Sequence, residues 1–228
     1  MKCVILAAGR GTRMGELTND CPKPMLPING KPKLAYTIEK LPTIITEVIV
    51  VVGYHKEQII DHFGDIYSDR MIHYVEQKEF NGTAGALSLT KELIGGEKFI
   101  VLMGDDLYMK KDIERLVQYD LALLAYETQN AASYGLVDID VEEYLIGVVE
   151  RPHDRTEGLV NTAAYALTPK YFEYAPVAIG GGEYGLPQTI VTMRDHHEIT
   201  VITTEHWLPV GTPEDLERAE GEITKFLL

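Results

Sequence analysis

Cysteine is scarce in this 228-residue chain: there are two, Cys3 in an apolar run and Cys21 in a polar loop before Pro22. Two thiols in such unlike settings exclude a disulfide framework and point to a reduced, cytoplasmic setting. Long apolar runs are absent as well. Stretches such as residues 48–52 fall far short of the roughly 18 residues a spanning helix needs, so neither a transmembrane segment nor a membrane partner is expected. Residues 3–8 follow Lys2 and faintly imitate a leader, but Arg10 and Arg13 stand where a cleavage site would need small residues, so the run reads as a first strand. Positive charge is also in short supply, with 21 Lys and Arg against 35 Asp and Glu and a net charge of −14. Such a balance argues against a nucleic acid polymer as partner, because a phosphate-tracking surface needs a basic face.

What is present is unevenly placed. The first 33 residues hold Lys2, Arg10, Arg13, Lys23, Lys31 and Lys33 against only Glu16 and Asp20, so the rest of the chain carries the acidity. One basic corner on an acidic protein suggests a small anionic ligand held there. At this length one core buries most of the chain without staples, and no Ser/Gly linker or internal repeat marks a boundary. The chain therefore reads as a single domain over residues 1–228, with lobes at 1–118 and 119–228.

Continuous apolar runs at 2–8, 47–53 and 98–103, with an alternating run at 71–75, read as strands. Helical spacing fills the gaps at 32–41, 55–63 and 84–93, and strands alternating with helices predict repeated βαβ units and a parallel sheet. The rhythm then changes. Four strand-like runs between residues 121 and 167 follow one another with little helix between them, the pattern of antiparallel strands. Helices are expected again near 169–174, 184–194 and 213–226, with a strand at 199–203.

The first predicted strand ends in Leu6-Ala7-Ala8-Gly9-Arg10-Gly11-Thr12-Arg13-Met14. Small residues at the carboxyl end of a strand let backbone amides approach phosphates. It is not a dinucleotide fingerprint, since Gly9, Gly11 and Gly15 place the third glycine one position late, and no Gly-Lys-Ser/Thr makes it a P-loop. Ten residues after Arg13 comes Lys23, within Pro22-Lys23-Pro24-Met25-Leu26-Pro27, and then Gly30-Lys31-Pro32. A lysine between two prolines is expected on a stiff, extended backbone. Lys31 and Lys33 have no assigned role and read as solvated. The seven histidines show no metal spacing with the cysteines, and no Gly-x-Ser-x-Gly elbow exists.

LAAGRGTRM followed by PKPMLPINGKP closely resembles the signature of the sugar-1-phosphate nucleotidyltransferase family, which makes nucleotide sugars from a nucleoside triphosphate and a sugar phosphate. The resemblance continues in order through Glu76-Gln77 with Gly82-Thr83-Ala84-Gly85, Gly104-Asp105-Asp106, Tyr134-Gly135, Glu150-Arg151-Pro152, Val160-Asn161-Thr162, Gly182-Glu183-Tyr184 and Gly211-Thr212-Pro213-Glu214. It implies a Rossmann-like three-layer α/β/α fold with a mostly parallel central mixed sheet and a smaller antiparallel sugar-binding lobe. The short form, without the carboxyl-terminal β-helix some members carry, is expected, and homo-oligomerisation stays open.

The resemblance also implies a chemistry, in which a sugar-phosphate oxygen attacks the α-phosphorus in line and pyrophosphate leaves. Arg13, Lys23 and Asp105 would be the catalytic residues. Arg13 holds the β and γ phosphates, Lys23 sits between the α-phosphate and the attacking phosphate, and Asp105 holds Mg2+. Leu6, Ala7, Ala8, Gly9, Gly11, Thr12 and Arg13 would cradle the nucleotide, and Gln77, Gly82 and Thr83 would take the base. A primary amide both donates and accepts, so Gln77 leaves the base open; the string Gly-Thr-Ala-Gly-Ala-Leu leans toward guanylyl and archaeal-type glucose-1-phosphate enzymes. Gly135, Glu150, Arg151 and Asn161 would hold the sugar. Three positions depart from the family pattern. Pro209 stands where an aspartate often provides a second metal ligand, which would leave Asp106, Glu205 or the phosphates to complete the shell. Gln188 follows Leu186-Pro187 where Leu-Thr-Asp is usual, and Arg151 replaces a lysine. A sugar-nucleotide-binding regulatory subunit with little turnover, and a cytidylyltransferase for a non-sugar phosphate, are the competing readings.

Overall fold

A computed structural model describes residues 1–150 and 154–227. Its ten-stranded mixed sheet contains β1 (Lys2–Leu6), β2 (Glu47–Val52), β3 (Ile66–Tyr67), β4 (Arg70–Glu76), β5 (Phe99–Met103), β6 (Ala122–Thr128), β7 (Leu136–Ile139), β8 (Leu145–Val149), β9 (Gly158–Leu167) and β10 (Thr200–Thr204). The order across the sheet is β8-β7-β9-β5-β1-β2-β4-β3, with β6 on β9 and β10 on β6. Strands β5, β1, β2 and β4 run parallel. The antiparallel strands extend the same sheet, joining it where β9 pairs with β5.

The apolar runs are continuous because both faces of the central strands are covered. Cys3 and Ile5 of β1 pack with Val48, Val50, Ile100 and Leu102 on one side, while Val4 and Leu6 pack with Ile49, Val51, Phe99 and Val101 on the other. Alternate side chains point to opposite faces, so a strand buried on both sides has no polar positions to show. The covering helices are α1 (Lys33–Glu39), α2 (Lys56–Phe63), α3 (Gly82–Ser88), α4 (Lys91–Ile94), α5 (Lys110–Leu116), α6 (Leu186–Met193) and α7 (Pro213–Leu227). Along α7, Leu216, Ala219, Ile223 and Phe226 face a separate apolar cluster containing Ile28, Tyr36, Leu107 and Leu208. Among the described residues no helix is long and apolar enough to cross a membrane.

Two local expectations are corrected. The helix expected over 84–93 is two short helices, because the Ser88 and Thr90 hydroxyls donate to the carbonyls of Ala84 (2.8 Å) and Leu87 (2.7 Å) and compete with the helical ladder between them. The backbone at Lys23 is not extended: Pro22 is, but Lys23–Met25 forms a single 3-10 turn.

The sheet also places the site. Leu6 of β1 stands in register with both Val51 of β2 and Met103 of β5, so these strands end level. The chain leaves β1 for a partner on one side and returns to β5 on the other, which opens a crevice beyond the strands' carboxyl ends, where ligands bind in open α/β sheets.

Candidate active site

The loop after β1 lies in that crevice. Gly11 takes a left-handed backbone (φ 67°), and a Cβ there would lie 2.8 Å from Lys23 Cβ. A glycine at this position is therefore what lets the Lys23 turn close onto the loop. Opposite, Gly104 continues β5 with its amide donating to the Leu6 carbonyl at 3.0 Å, which brings Asp105 beside the loop.

Two connected compartments share this floor. The first, of about 520 Å3, is lined by Leu6, Ala7, Ala8, Gly9, Gly11, Thr12 and Arg13, together with Gln77, Gly82 and Thr83. The second, of about 1030 Å3, is lined by Gly135, Glu150 and Asn161 among others. Arg13, Lys23 and Asp105 face both. The structure thus brings together every predicted catalytic, nucleotide-binding and sugar-binding residue except Arg151, which lies outside the described residues.

At the boundary Lys23 forms an ion pair with Asp105. Burial works to raise the Asp105 carboxyl, but the ammonium groups of Lys23 and Lys33, with the Lys23 hydrogen bond, outweigh it and hold the carboxyl below its usual value. Asp106 differs. It accepts a hydrogen bond from Trp207 Nε1 at 3.2 Å, and burial, then the Asp105 carboxylate beside it, push it up to about 7. Trp207 packs edge-on to Tyr134, ring centroids 5.0 Å apart, which ties the floor to the wall of the second compartment.

On that wall Glu150 rests against Gly135, where an added Cβ would lie 3.1 Å from Glu150 Oε1. The Asn161 amide nitrogen of the backbone donates to the Gly135 carbonyl at 2.9 Å. Strand β9 bulges between Asn161 and Ala164, with Ala163 at φ 57°, and the bulge lets the Ala163 N–H donate to Asn161 Oδ1 at 2.9 Å. Asn161 Nδ2 in turn donates to the Tyr165 hydroxyl at 2.7 Å.

A roof crosses the first compartment. Strand Glu183–Gly185 of a short hairpin docks on the start of α3, the Tyr184 N–H donating to the Asn81 carbonyl at 2.8 Å. Gly82, at φ 88°, has no space for a side chain, since a Cβ would lie 2.4 Å from the Tyr184 carbonyl oxygen. Ile179 and Glu183 of this hairpin line the compartment, as does Phe80, with the Arg10 guanidinium 5.3 Å from its ring centroid.

Lys33 corrects the expectation of a solvated lysine. It is 0 % exposed, and its Nζ has no hydrogen-bond partner. Burial pushes it down to about 8 against the attraction of Asp105 and Asp106. Thr37, one turn further along the same face of α1, donates its hydroxyl proton to the Asp106 carbonyl at 3.3 Å. Glu205, considered as a substitute metal ligand, lies elsewhere, paired with Lys111 at 2.8 Å.

Among the described residues no group of three or more His, Cys, Asp or Glu side chains could hold a metal by itself. The donor set is one accessible carboxylate, Asp105, at the boundary of the two compartments. That fits a magnesium ion, which takes one or two carboxylates and completes its shell with phosphate oxygens and water.

Loop, crevice and cation-lined floor form one site beyond the carboxyl ends of an open, mostly parallel α/β sheet. The chain belongs to the nucleotidyl transferase family, whose sequence model matches residues 2–225. It is 32% identical to the bifunctional protein GlmU of Methanocaldococcus jannaschii, over 100% of this chain and 54% of that protein. It is 34% identical to the UTP–glucose-1-phosphate uridylyltransferase AglF of Haloferax volcanii, over 98% of this chain and 96% of that one. The chain thus spans about half the length of the bifunctional relative and nearly all of the uridylyltransferase. A UDP-glucose pyrophosphorylase solved with UDP-glucose superposes with a TM-score of 0.84 at 25% identity, covering 98% of both chains.

Proposed function

We propose that this protein transfers the nucleotidyl group of a nucleoside triphosphate to the phosphate of a sugar 1-phosphate, giving a nucleotide sugar and pyrophosphate. The observation that carries this reading is that Arg13, Lys23 and Asp105 face both compartments, as a reaction joining two phosphates across their boundary requires. The first compartment takes the triphosphate along the β1 loop, and the second takes the sugar, with Glu150 accepting hydroxyl protons.

The reaction forms one bond, from a sugar-phosphate oxygen to the α-phosphorus, and breaks the bond from that phosphorus to the bridging oxygen of pyrophosphate. Both substrates are anions, so repulsion between them is a large part of the barrier, and positioning with neutralisation is the protein's main contribution. Lys23 lies at the boundary, where its ammonium can pass from Asp105 to the two phosphates as they meet. Arg13 offers a forked set of donors to the departing pyrophosphate. Mg2+ held by Asp105 would supply further neutralisation of phosphate charge.

UTP with glucose 1-phosphate is the pair to try first, because the relative of nearly equal length is named for them. A panel of nucleoside triphosphates against sugar 1-phosphates, read by pyrophosphate release, tests the reading. Release with one pair, and none when either substrate is omitted, is expected. Pro209, whose side chain has no ligand atom, favours the second reading of a binding subunit; nucleotide-sugar binding without pyrophosphate release from any pair would establish it.

A further inference from the structure

Gln77 lines the nucleotide compartment, and both protons of its side-chain amide are already committed. Nε2 donates to Asn81 Oδ1 at 3.0 Å and to the Gly82 carbonyl at 3.1 Å. A backbone carbonyl can only accept, so the Gly82 contact fixes which end of the amide faces it. An NH2 group has two protons, and with both engaged Gln77 has only its carbonyl oxygen left to offer a ligand.

Asn81 does this at the expense of its usual task. It stands at the N-cap of α3, where an asparagine ordinarily accepts a hydrogen bond from the first turn, yet its side chain makes no cap bond. It folds instead over Gly85, where an added Cβ would lie 2.0 Å from Asn81 Oδ1. Gly85 thus provides the room, and Asn81 uses it to hold Gln77.

We propose that Asn81 is a specificity-positioning residue: by engaging one amide proton of Gln77, it leaves an acceptor toward the base and so selects bases with a ring N–H over bases with a bare ring nitrogen. Uracil, thymine and guanine present such an N–H. Cytosine and adenine present a lone pair, which would face the Gln77 oxygen with no proton between them, a contact that excludes the wrong ligand rather than rewarding the right one. This proposal rests on the nucleotide occupying the first compartment, as in the function proposed above.

The test compares the best uridine, thymidine or guanosine triphosphate with CTP in the unaltered protein, Asn81→Leu and Asn81→Asp. The measured quantity is the ratio of kcat/KM values, with the ratio of dissociation constants from calorimetry beside it. The leucine variant keeps the branched shape and frees one Gln77 proton, so the preference over CTP should fall about tenfold, the scale of one buried hydrogen bond. Aspartate still accepts from Gln77 and should retain the preference. A merely structural Asn81 would weaken all triphosphates alike, and an unchanged ratio in Asn81→Leu would overturn the proposal. If that variant does not fold, N3-methyl-UTP decides with the unaltered protein: use as efficient as that of UTP overturns the proposal, and rejection supports it. Absence of turnover with every triphosphate would defeat the proposed function, while the calorimetric ratio would still test Asn81.

Discussion

Lys33→Met removes a fully buried charge that lies within electrostatic reach of Asp105 and Asp106, while keeping roughly the length of the side chain. The lysine is completely buried without a hydrogen-bond partner, and its descent from 10.5 to about 8 already nets the attraction of Asp105 and Asp106 against burial. That difference corresponds to about 3 kcal/mol of lost stability when the group is charged. Methionine fills similar space without the charge, and Asp106, already at about 7, can take up a proton when its neighbour is lost. The variant should therefore gain about 2–3 kcal/mol near pH 7, or about 5–10 °C in Tm for a chain of this size. The sign with pH follows from the direction of the shift. The unfolded lysine holds its proton up to 10.5 and the folded one releases it near 8, so the original protein recovers stability as pH rises between those values. The advantage of the variant should be complete below about pH 8 and gone above about 10.5. Urea melts of both proteins across pH 7 to 10.5 measure it. A variant less stable at pH 7, or a gap that persists at high pH, would refute the reasoning.

Lys23→Ala should lower kcat by at least about 100-fold, as expected for loss of a group neutralising charge in the transition state, with triphosphate binding by calorimetry changed far less. Glu150→Gln should raise KM for the sugar phosphate about tenfold or more and leave KM for the triphosphate within about twofold, because Glu150 lines only the second compartment. Gly82→Ala should cost about 2–4 kcal/mol in urea melts, since the added carbon meets the Tyr184 carbonyl and the backbone is left-handed.

The parallel half of the sheet was legible because strands buried on both faces leave unbroken apolar runs, and the βα rhythm between them is strong. The positions of the loop after β1 and of Asp105 after β5 were legible because local sequence sets them at strand ends. The burial of Lys33 was not: it is solvated or buried depending on where α1 lies relative to β5, and nothing adjacent in sequence states that. Asn81 was hidden for a different reason. An asparagine before a helix ordinarily caps it, and only the position of Gln77, at the start of the loop that leads to Gly82, shows that its oxygen is used elsewhere. The split between α3 and α4 turned on two hydroxyls that could equally have faced solvent.

The central claim is direct transfer of a nucleotidyl group between two substrates held on one floor. The measurement that tests it most directly is a single turnover with the triphosphate labelled at its α-phosphorus, in the presence of a sugar 1-phosphate and Mg2+. Label should pass into nucleotide sugar in equal amount with pyrophosphate released, and none should appear on the protein. Label that stays in the triphosphate while nucleotide sugar binds, or that becomes attached to the protein, would contradict it.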